Sequence, residues 1–308
     1  SCQAEILIRS ENYFGTYEAG GLILGDLAAR DAFIHAIQAC IPHRQLLPVA
    51  VEKIMLFTEF GEVNSHVVLQ AREQAWDGEQ YIYDVDVFTP EGAHMEAWRG
   101  LVLHPLGQQG NPESWSPALV TPYLEDVLRE AGDGHDVRAA IVPGSDRQAS
   151  THAVALASDG GEVLRWRNDG APTCDSNRYV SISHGESQTL AVLGAKPVAC
   201  DLEMVEDRPE SLWRDMLGEH STDLLEYLTA ESQDPLNVAA TRIWGALECF
   251  KKMGLDRNTP LVLTEKCANR TFLFAAGAHQ IVSCEVDTND GPGAHMLTVL
   301  LGGNNDLL

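Results

Sequence analysis

The chain has 308 residues, enough for two domains of ordinary size, because single cores stop growing near ~250–300 residues. Hydrophobic residues make up 44% and charged residues 21%, which excludes disorder as a whole-chain state. Against 45 Asp+Glu stand 21 Lys+Arg, a net charge of −24, so no nucleic-acid and no membrane partner is expected: duplex DNA and anionic lipid both demand broad basic surfaces. No uncharged apolar run reaches the ~18 residues of a membrane helix, and SCQAEILIRSEN lacks a signal-peptide layout. The seven cysteines are odd in number and include no CxxC pair. A soluble, cytoplasmic protein with reduced thiols is expected, and the absence of an initial Met suggests a fragment of something longer.

In chain order, AEILIRS (4–10) reads as a strand and GGLILGD (20–26) leads to a helix over 27–41, with Asp26 as N-cap and Pro42 as stop. Strand-like runs follow at 48–57, 63–73, 80–90 and 93–104; YIYDVDVF alternates by two, as a sheet with one wet face does. One helix followed by long antiparallel strands predicts a sheet wrapped around that helix. GQQGNPESWSP (107–117) has turn composition and no apolar period, which places a linker between domains at 1–106 and 118–308. Beyond it, strands are expected at 137–143, 152–158, 162–167, 179–184, 189–195 and 197–203. Helices are expected at 210–217, 221–230 and 235–254, the last between Pro235 and Gly254. Four strand-like runs close the chain, so the class is α+β.

Three features of the second piece carry chemistry. Asp201 and Glu203 stand at i and i+2 of a strand and face one side, an arrangement that suits a hard cation. By itself an Asp-x-Glu at a strand end is more often a solvated edge. Trp244, Glu248 and Lys252 follow at i, i+4 and i+8 of one helix and share a face. Ser181-Ile182-Ser183-His184-Gly185 runs a strand into a loop, and a lone His there is more often structural than catalytic. Eight of the piece's fifteen basic residues (Arg165, Arg167, Arg178, Lys251, Lys252, Arg257, Lys266, Arg270) lie in two short stretches, and their pooling beside the carboxylates is expected to favour a metal–phosphate ligand.

The order DGAP, VSISH, ACDLE, RIWGALECFKK resembles the 4′-phosphopantetheinyl transferases over roughly residues 115–308. The resemblance implies that Asp201, Glu203 and Glu248 hold Mg²⁺ with the pyrophosphate of coenzyme A, that His184 touches a coenzyme A phosphate, and that Lys252 steadies the leaving 3′,5′-ADP. It also implies that Glu248, directly or through water, or else a metal-bound water, takes the proton from the serine of an acyl carrier protein domain. Two positions depart from the family pattern, Ala171 in the turn and Leu247 on the helix, where the family carries phosphate-binding lysines; Arg167, Arg178 and Lys251 are the candidates to substitute.

Residues 1–106 resemble the second hotdog repeat of a polyketide synthase dehydratase, on Asp31-Ala32-Phe33-Ile34-His35, HAIQACIPH and Leu-Leu-Pro at 46–48. The resemblance implies that Asp31 works with a histidine of a preceding repeat and is hydrogen-bonded by His35, so a dimer or contact with such a repeat is expected. A dehydratase end followed by a transferase resembles the C-terminus of enediyne-type iterative polyketide synthases, where the carrier belongs to the same synthase. Two readings follow: a Mg²⁺-dependent phosphopantetheinyl transferase, or a dehydratase fragment with an inactive docking domain.

Overall fold

A strand with one face on a core alternates in burial, and Tyr81–Phe88 does so without a break: Tyr81, Tyr83, Val85 and Val87 are buried, and the residues between them are not. The computed structural model describes residues 2–8, 27–57, 66–108, 115–132, 136–232, 234–288 and 293–303. Asp26 and GGLILGD lie outside them, as does most of the expected linker. Two compact units emerge, Ser1–Gln109 and Gly110–Leu308.

In the first unit, β1 (Cys2–Leu7), β2 (Arg44–Leu56), β3 (His66–Trp76), β4 (Tyr81–Phe88) and β5 (His94–Gln108) form one antiparallel sheet, ordered β1-β3-β4-β5-β2. Helix α1 (Leu27–Ile37) lays Ala29, Phe33 and Ile37, at four-residue spacing, into the cluster this sheet provides. Phe33 meets Trp98 edge-on at 6.2 Å. The Gln38 side chain closes the helix end by donating to Ile41 O (2.7 Å) and accepting from Leu46 N–H (3.1 Å). This is the helix-in-sheet arrangement expected from the pattern.

The second unit has two main sheets. β6 (Val137–Pro143), β10 (Gln188–Gly194) and β9 (Tyr179–His184) run in the order β6-β10-β9. β11 (Val198–Met204), β15 (Ala294–Leu301), β14 (His279–Asp287), β13 (Thr271–Ala276) and β12 (Val262–Lys266) form the other, in that order. A small hairpin, β7 (Leu164–Trp166) and β8 (Pro172–Cys174), turns at Asn168–Gly170. Helices α4 (Glu210–Leu217) and α5 (Thr222–Ala230) match expectation.

Helix α6 (Leu236–Met253) buries a full stripe, including Ala239, Ile243, Ala246 and Phe250, against β11, β14 and β15. It ends at Gly254 in the left-handed region (φ 71°), with Leu255 N–H on Phe250 O (2.9 Å) closing the last turn. Gly245 lets the helix sit close on the sheet: a Cβ there would lie 2.5 Å from Thr298 Oγ1. Arg242, fully buried, stacks on Phe272 (4.2 Å) and pairs with Asp234 (2.8 Å).

Two sequence expectations are corrected. Residues 152–158 are not a strand; they end helix α3 (Arg147–Ala157). Asp146 caps it, accepting from Ala149 N–H (2.8 Å), and Ala149, Ser150, Ala153, Val154 and Ala157 make a buried stripe of helical period that the shorter window hid. The expected linker is also shorter, because β5 runs to Gln108 and helix α2 (Pro117–Ala131) starts at Pro117, which opens a first turn rather than blocking it. Helix α2 went unassigned in the sequence. Its Glu125 and Thr121 side chains accept from Ala139 N–H and Ile141 N–H on the free edge of β6, both at 3.0 Å.

Candidate active site

β11 is the edge of its sheet, so alternate N–H groups face away with no strand to receive them, and buried backbone donors need partners. Serine side chains of β9 supply them. Cys200 N–H donates to Ser181 Oγ (3.0 Å) and Leu202 N–H to Ser183 Oγ (3.2 Å). The two sheets are therefore joined by hydroxyls rather than by a backbone ladder, and the chemistry-bearing residues gather along that seam.

Asp201 is buried there. Its Oδ1 accepts from Ser183 Oγ (3.1 Å) and from Lys252 Nζ (3.0 Å), while Oδ2 is buried with no hydrogen-bond partner. Burial pushes the Asp201 carboxyl above the usual carboxylate range, against the pull of Lys252. Glu203, half-buried, is raised by burial and then by the Asp201 charge, and its Oε1 accepts from Trp244 Nε1–H (3.2 Å). Glu248 follows Trp244 by one turn of α6, its charge raises both other acids, and it pairs with Lys251 (3.1 Å). Leu202, between the two strand acids, faces the core.

Lys252 Nζ also donates to Cys200 O (2.6 Å). Burial works to lower its pKa, but the neighbouring Cys200, Asp201 and Cys249 outweigh that and leave it above the usual lysine value. His184, at the exposed end of β9, hydrogen-bonds Ser150 Oγ through Nε2 (2.8 Å). Burial and then the Lys252 charge hold its pKa below the usual histidine value.

The donor set suits a hard divalent cation: an orphaned buried oxygen on Asp201 beside two further carboxylates. The ligand oxygens of the three are not drawn within 4.8 Å of one another; Lys252 and Lys251 hold two of them in this arrangement. Beside them opens a recess lined by Trp244, Leu247, Glu248, Lys251, Leu255 and Arg257, with the Arg257 guanidinium 5.9 Å from the Trp244 ring centre.

The expected pooling of eight cations does not occur. Only Lys251 and Lys252 bond to the carboxylates. Arg165 and Arg167 close on Asp175 and Asp169 of their own hairpin, and Arg178 pairs with Asp136 (3.0 Å). Arg270 pairs with Glu285 (2.8 Å), Lys266 donates to Ser232 O (2.6 Å), and Arg257 donates to Met216 O. Each of these six is engaged by a nearby acceptor, close in sequence for Arg165 and Arg167 and distant in sequence for the others. The residues missed by sequence reasoning, Ser150 above all, lay in the stretch misread as strand or just before it.

In the first unit, Asp31 and His35 pair at 3.5 Å on the exposed face of α1. A buried charge pair lies beneath: Arg30 Nε donates to Glu96 Oε1 (2.8 Å), as does Trp98 Nε1 (2.6 Å). Arg30 Nη2 and Glu96 Oε2 are buried without partners.

Residues 25–113 match the family model of the polyketide synthase dehydratase N-terminal domain. The first unit is thus similar to a polyketide synthase dehydratase domain over most of its length. The matched model describes the N-terminal domain, whereas the motifs of residues 31–48 resemble the second repeat. No curated protein matches the sequence. Among solved structures, a hypothetical thioesterase protein with coenzyme A from Streptococcus pneumoniae TIGR4 aligns at 14% identity over 35% of this chain and 84% of that one, with a TM-score of 0.26. Acyl-CoA thioesterase II TesB2 from Mycobacterium marinum aligns at 11% identity over 90% and 88%, with a TM-score of 0.20. Both scores lie below the level at which two folds count as the same. Among the described residues, no helix is long and apolar enough to cross a membrane.

Proposed function

We propose that the second unit transfers the 4′-phosphopantetheine group of coenzyme A to a serine of an acyl carrier protein domain, with Mg²⁺. The observation that carries this reading is the buried, unpartnered Oδ2 of Asp201 beside Glu203 and Glu248. When bound, Mg²⁺ supplies charge neutralisation for the pyrophosphate, which three carboxylates alone would repel. The chain's own residues do the rest. Asp201, Glu203 and Glu248 are the ligands. Trp244 orients Glu203, and Ser183 and Lys252 orient Asp201. The serine oxygen of the carrier forms a bond to the phosphorus that bears the pantetheine arm, the bond from that phosphorus to 3′,5′-ADP breaks, and Glu248 receives the serine proton. Such transfer needs in-line positioning and charge stabilisation more than covalent help.

Lys252 already spends two of its three donors on Asp201 and Cys200 O, so its first task is to hold the ligand carboxylate, with one N–H left for the leaving group. Of the three candidates to replace the lysines missing at Ala171 and Leu247, Lys251 is favoured because it lines the same recess as Leu247 and Glu248. Arg167 and Arg178 are engaged with Asp169 and Asp136.

The family match favours a dehydratase-type reading for the first unit; it is the resemblance of its motifs to a second hotdog repeat, not that match, that makes Asp31 the acid–base group of half a site, with the partner histidine on another hotdog repeat. The exposure of Asp31 and His35 is compatible with completion from outside.

Intact mass spectrometry of an apo carrier domain with this chain, coenzyme A and Mg²⁺ tests the transferase, with EDTA and Asp201→Ala as controls. A gain of one phosphopantetheine that both controls abolish is expected. No gain across several carriers, or full activity of Asp201→Ala, overturns it and leaves the docking-domain alternative.

A further inference from the structure

His184 sits between a ligand-facing surface and a helix that fixes it. A neutral imidazole carries its proton on one nitrogen only, and the hydrogen bond made by that nitrogen selects the tautomer. Here the partner is Ser150, fully buried in the first turn of α3. Its hydroxyl has a single proton, which it donates to Asp146 O (3.0 Å). Towards His184 Nε2, at 2.8 Å, Ser150 Oγ is left only as an acceptor, so Nε2 bears the hydrogen. Ser150 is itself held by Asp146, whose carbonyl also accepts Ser150 N–H (3.0 Å) and whose carboxylate caps the helix through Ala149 N–H (2.8 Å). Nδ1 makes no hydrogen bond to the protein among the described residues.

We propose that Ser150 is a positioning residue: it fixes His184 as the Nε2–H tautomer and leaves Nδ1 as the one ring atom presented to a phosphate of coenzyme A. The ligand identity rests on the transferase reading; the tautomer does not. The charged groups that face the ring are Lys252 from α6 and Asp146 from the start of α3, the first disfavouring and the second favouring the imidazolium. A phosphate arriving at Nδ1 needs a donor there, so binding draws a proton to Nδ1 while Nε2–H stays on Ser150.

The test has two parts. Nitrogen-15 NMR of the ¹⁵N-histidine-labelled full chain, without ligand, reads the tautomer of His184. Nε2–H is expected in the natural sequence and a mixture of tautomers in Ser150→Ala. An Nδ1–H ring, or a ring unchanged in Ser150→Ala, overturns the proposal whatever the enzyme does. Transfer kinetics with coenzyme A then read the consequence: Ser150→Ala should raise the KM for coenzyme A about tenfold with little change in kcat, as the loss of an orienting partner does. His184→Asn, whose amide mimics Nδ1, should bind coenzyme A more tightly than His184→Gln, whose amide mimics Nε2. The reverse order overturns the assignment of Nδ1. Should the natural chain transfer nothing, the transferase reading fails, and the tautomer result still decides the role of Ser150.

Discussion

Replacing Lys252 with methionine keeps the aliphatic stem and removes the ammonium that faces Asp201. At 3.0 Å and an effective dielectric of about 20, the lost attraction is about 5 kcal/mol. The Lys252 side chain is 30% exposed, and the solvation it regains elsewhere offsets roughly half of that, leaving a loss of about 2–3 kcal/mol, below the ~3–5 of fully buried pairs. For a unit of this size the thermal midpoint should fall by about 4–12 °C. The loss has a pH signature. The folded Asp201 carboxyl is already held above its ordinary 3.8, so its charged form costs the fold stability and its protonated form relieves that cost. Without Lys252 the cost is full at about pH 8 and shrinks as acidification passes through the raised folded value. Urea unfolding in EDTA, followed by tryptophan fluorescence from about pH 8 to about pH 5, measures it. A midpoint equal to that of the natural chain at the alkaline end, or a gap that does not narrow on acidification, would refute the reasoning.

Gly245→Ala places a Cβ against Thr298 and should cost about 1–3 kcal/mol by lifting α6 from β15, with phosphopantetheine transfer falling alongside; urea midpoints and the mass assay read the two together. Ser183→Ala leaves Leu202 N–H without its acceptor and Asp201 with Lys252 but without its hydroxyl donor, an expected loss of about 1–3 kcal/mol, checked by the same unfolding curve and by faster hydrogen exchange at Leu202. In the first unit, Glu96→Ala strands the buried Arg30 and should cost about 3–5 kcal/mol, seen as faster exchange across β5, with no change in transfer by the second unit.

Elements with a long, clean period were legible in the sequence. YIYDVDVF could be nothing but a half-buried strand, and α6 showed both its stripe and its closing glycine. The Asp201 and Glu203 pairing needed only strand alternation, and the Trp244, Glu248 and Lys252 face only helix geometry. What sequence did not show was partly local and partly tertiary in origin. HAVALAS is short and apolar enough to read either way, and the deciding signal, Asp146 capping Ala149, lay outside the window. The hydroxyls of Ser181 and Ser183 look like solvent-face residues until a second sheet supplies edge amides for them to accept. Cation clustering misled, since proximity in sequence put Arg165 and Arg167 next to acids of their own hairpin.

The hydroxyl-stitched boundary between β9 and β11 also bears on how firmly the second unit coheres. A backbone ladder resists parting through many equivalent bonds, whereas the polar part of this boundary, beside the apolar core that the two sheets share, rests on a few side-chain contacts, two of them from serines. On the proposed reading, a molecule gripping His184 on one sheet and Asp201 on the other adds a clasp across that boundary. By mass action, such a clasp at a hundred times its dissociation constant adds about 2.7 kcal/mol to the folded state, comparable to the loss expected for Ser183→Ala. Cargo then doubles as mortar, and the shelf life of the empty unit and of the loaded one should part company on heating.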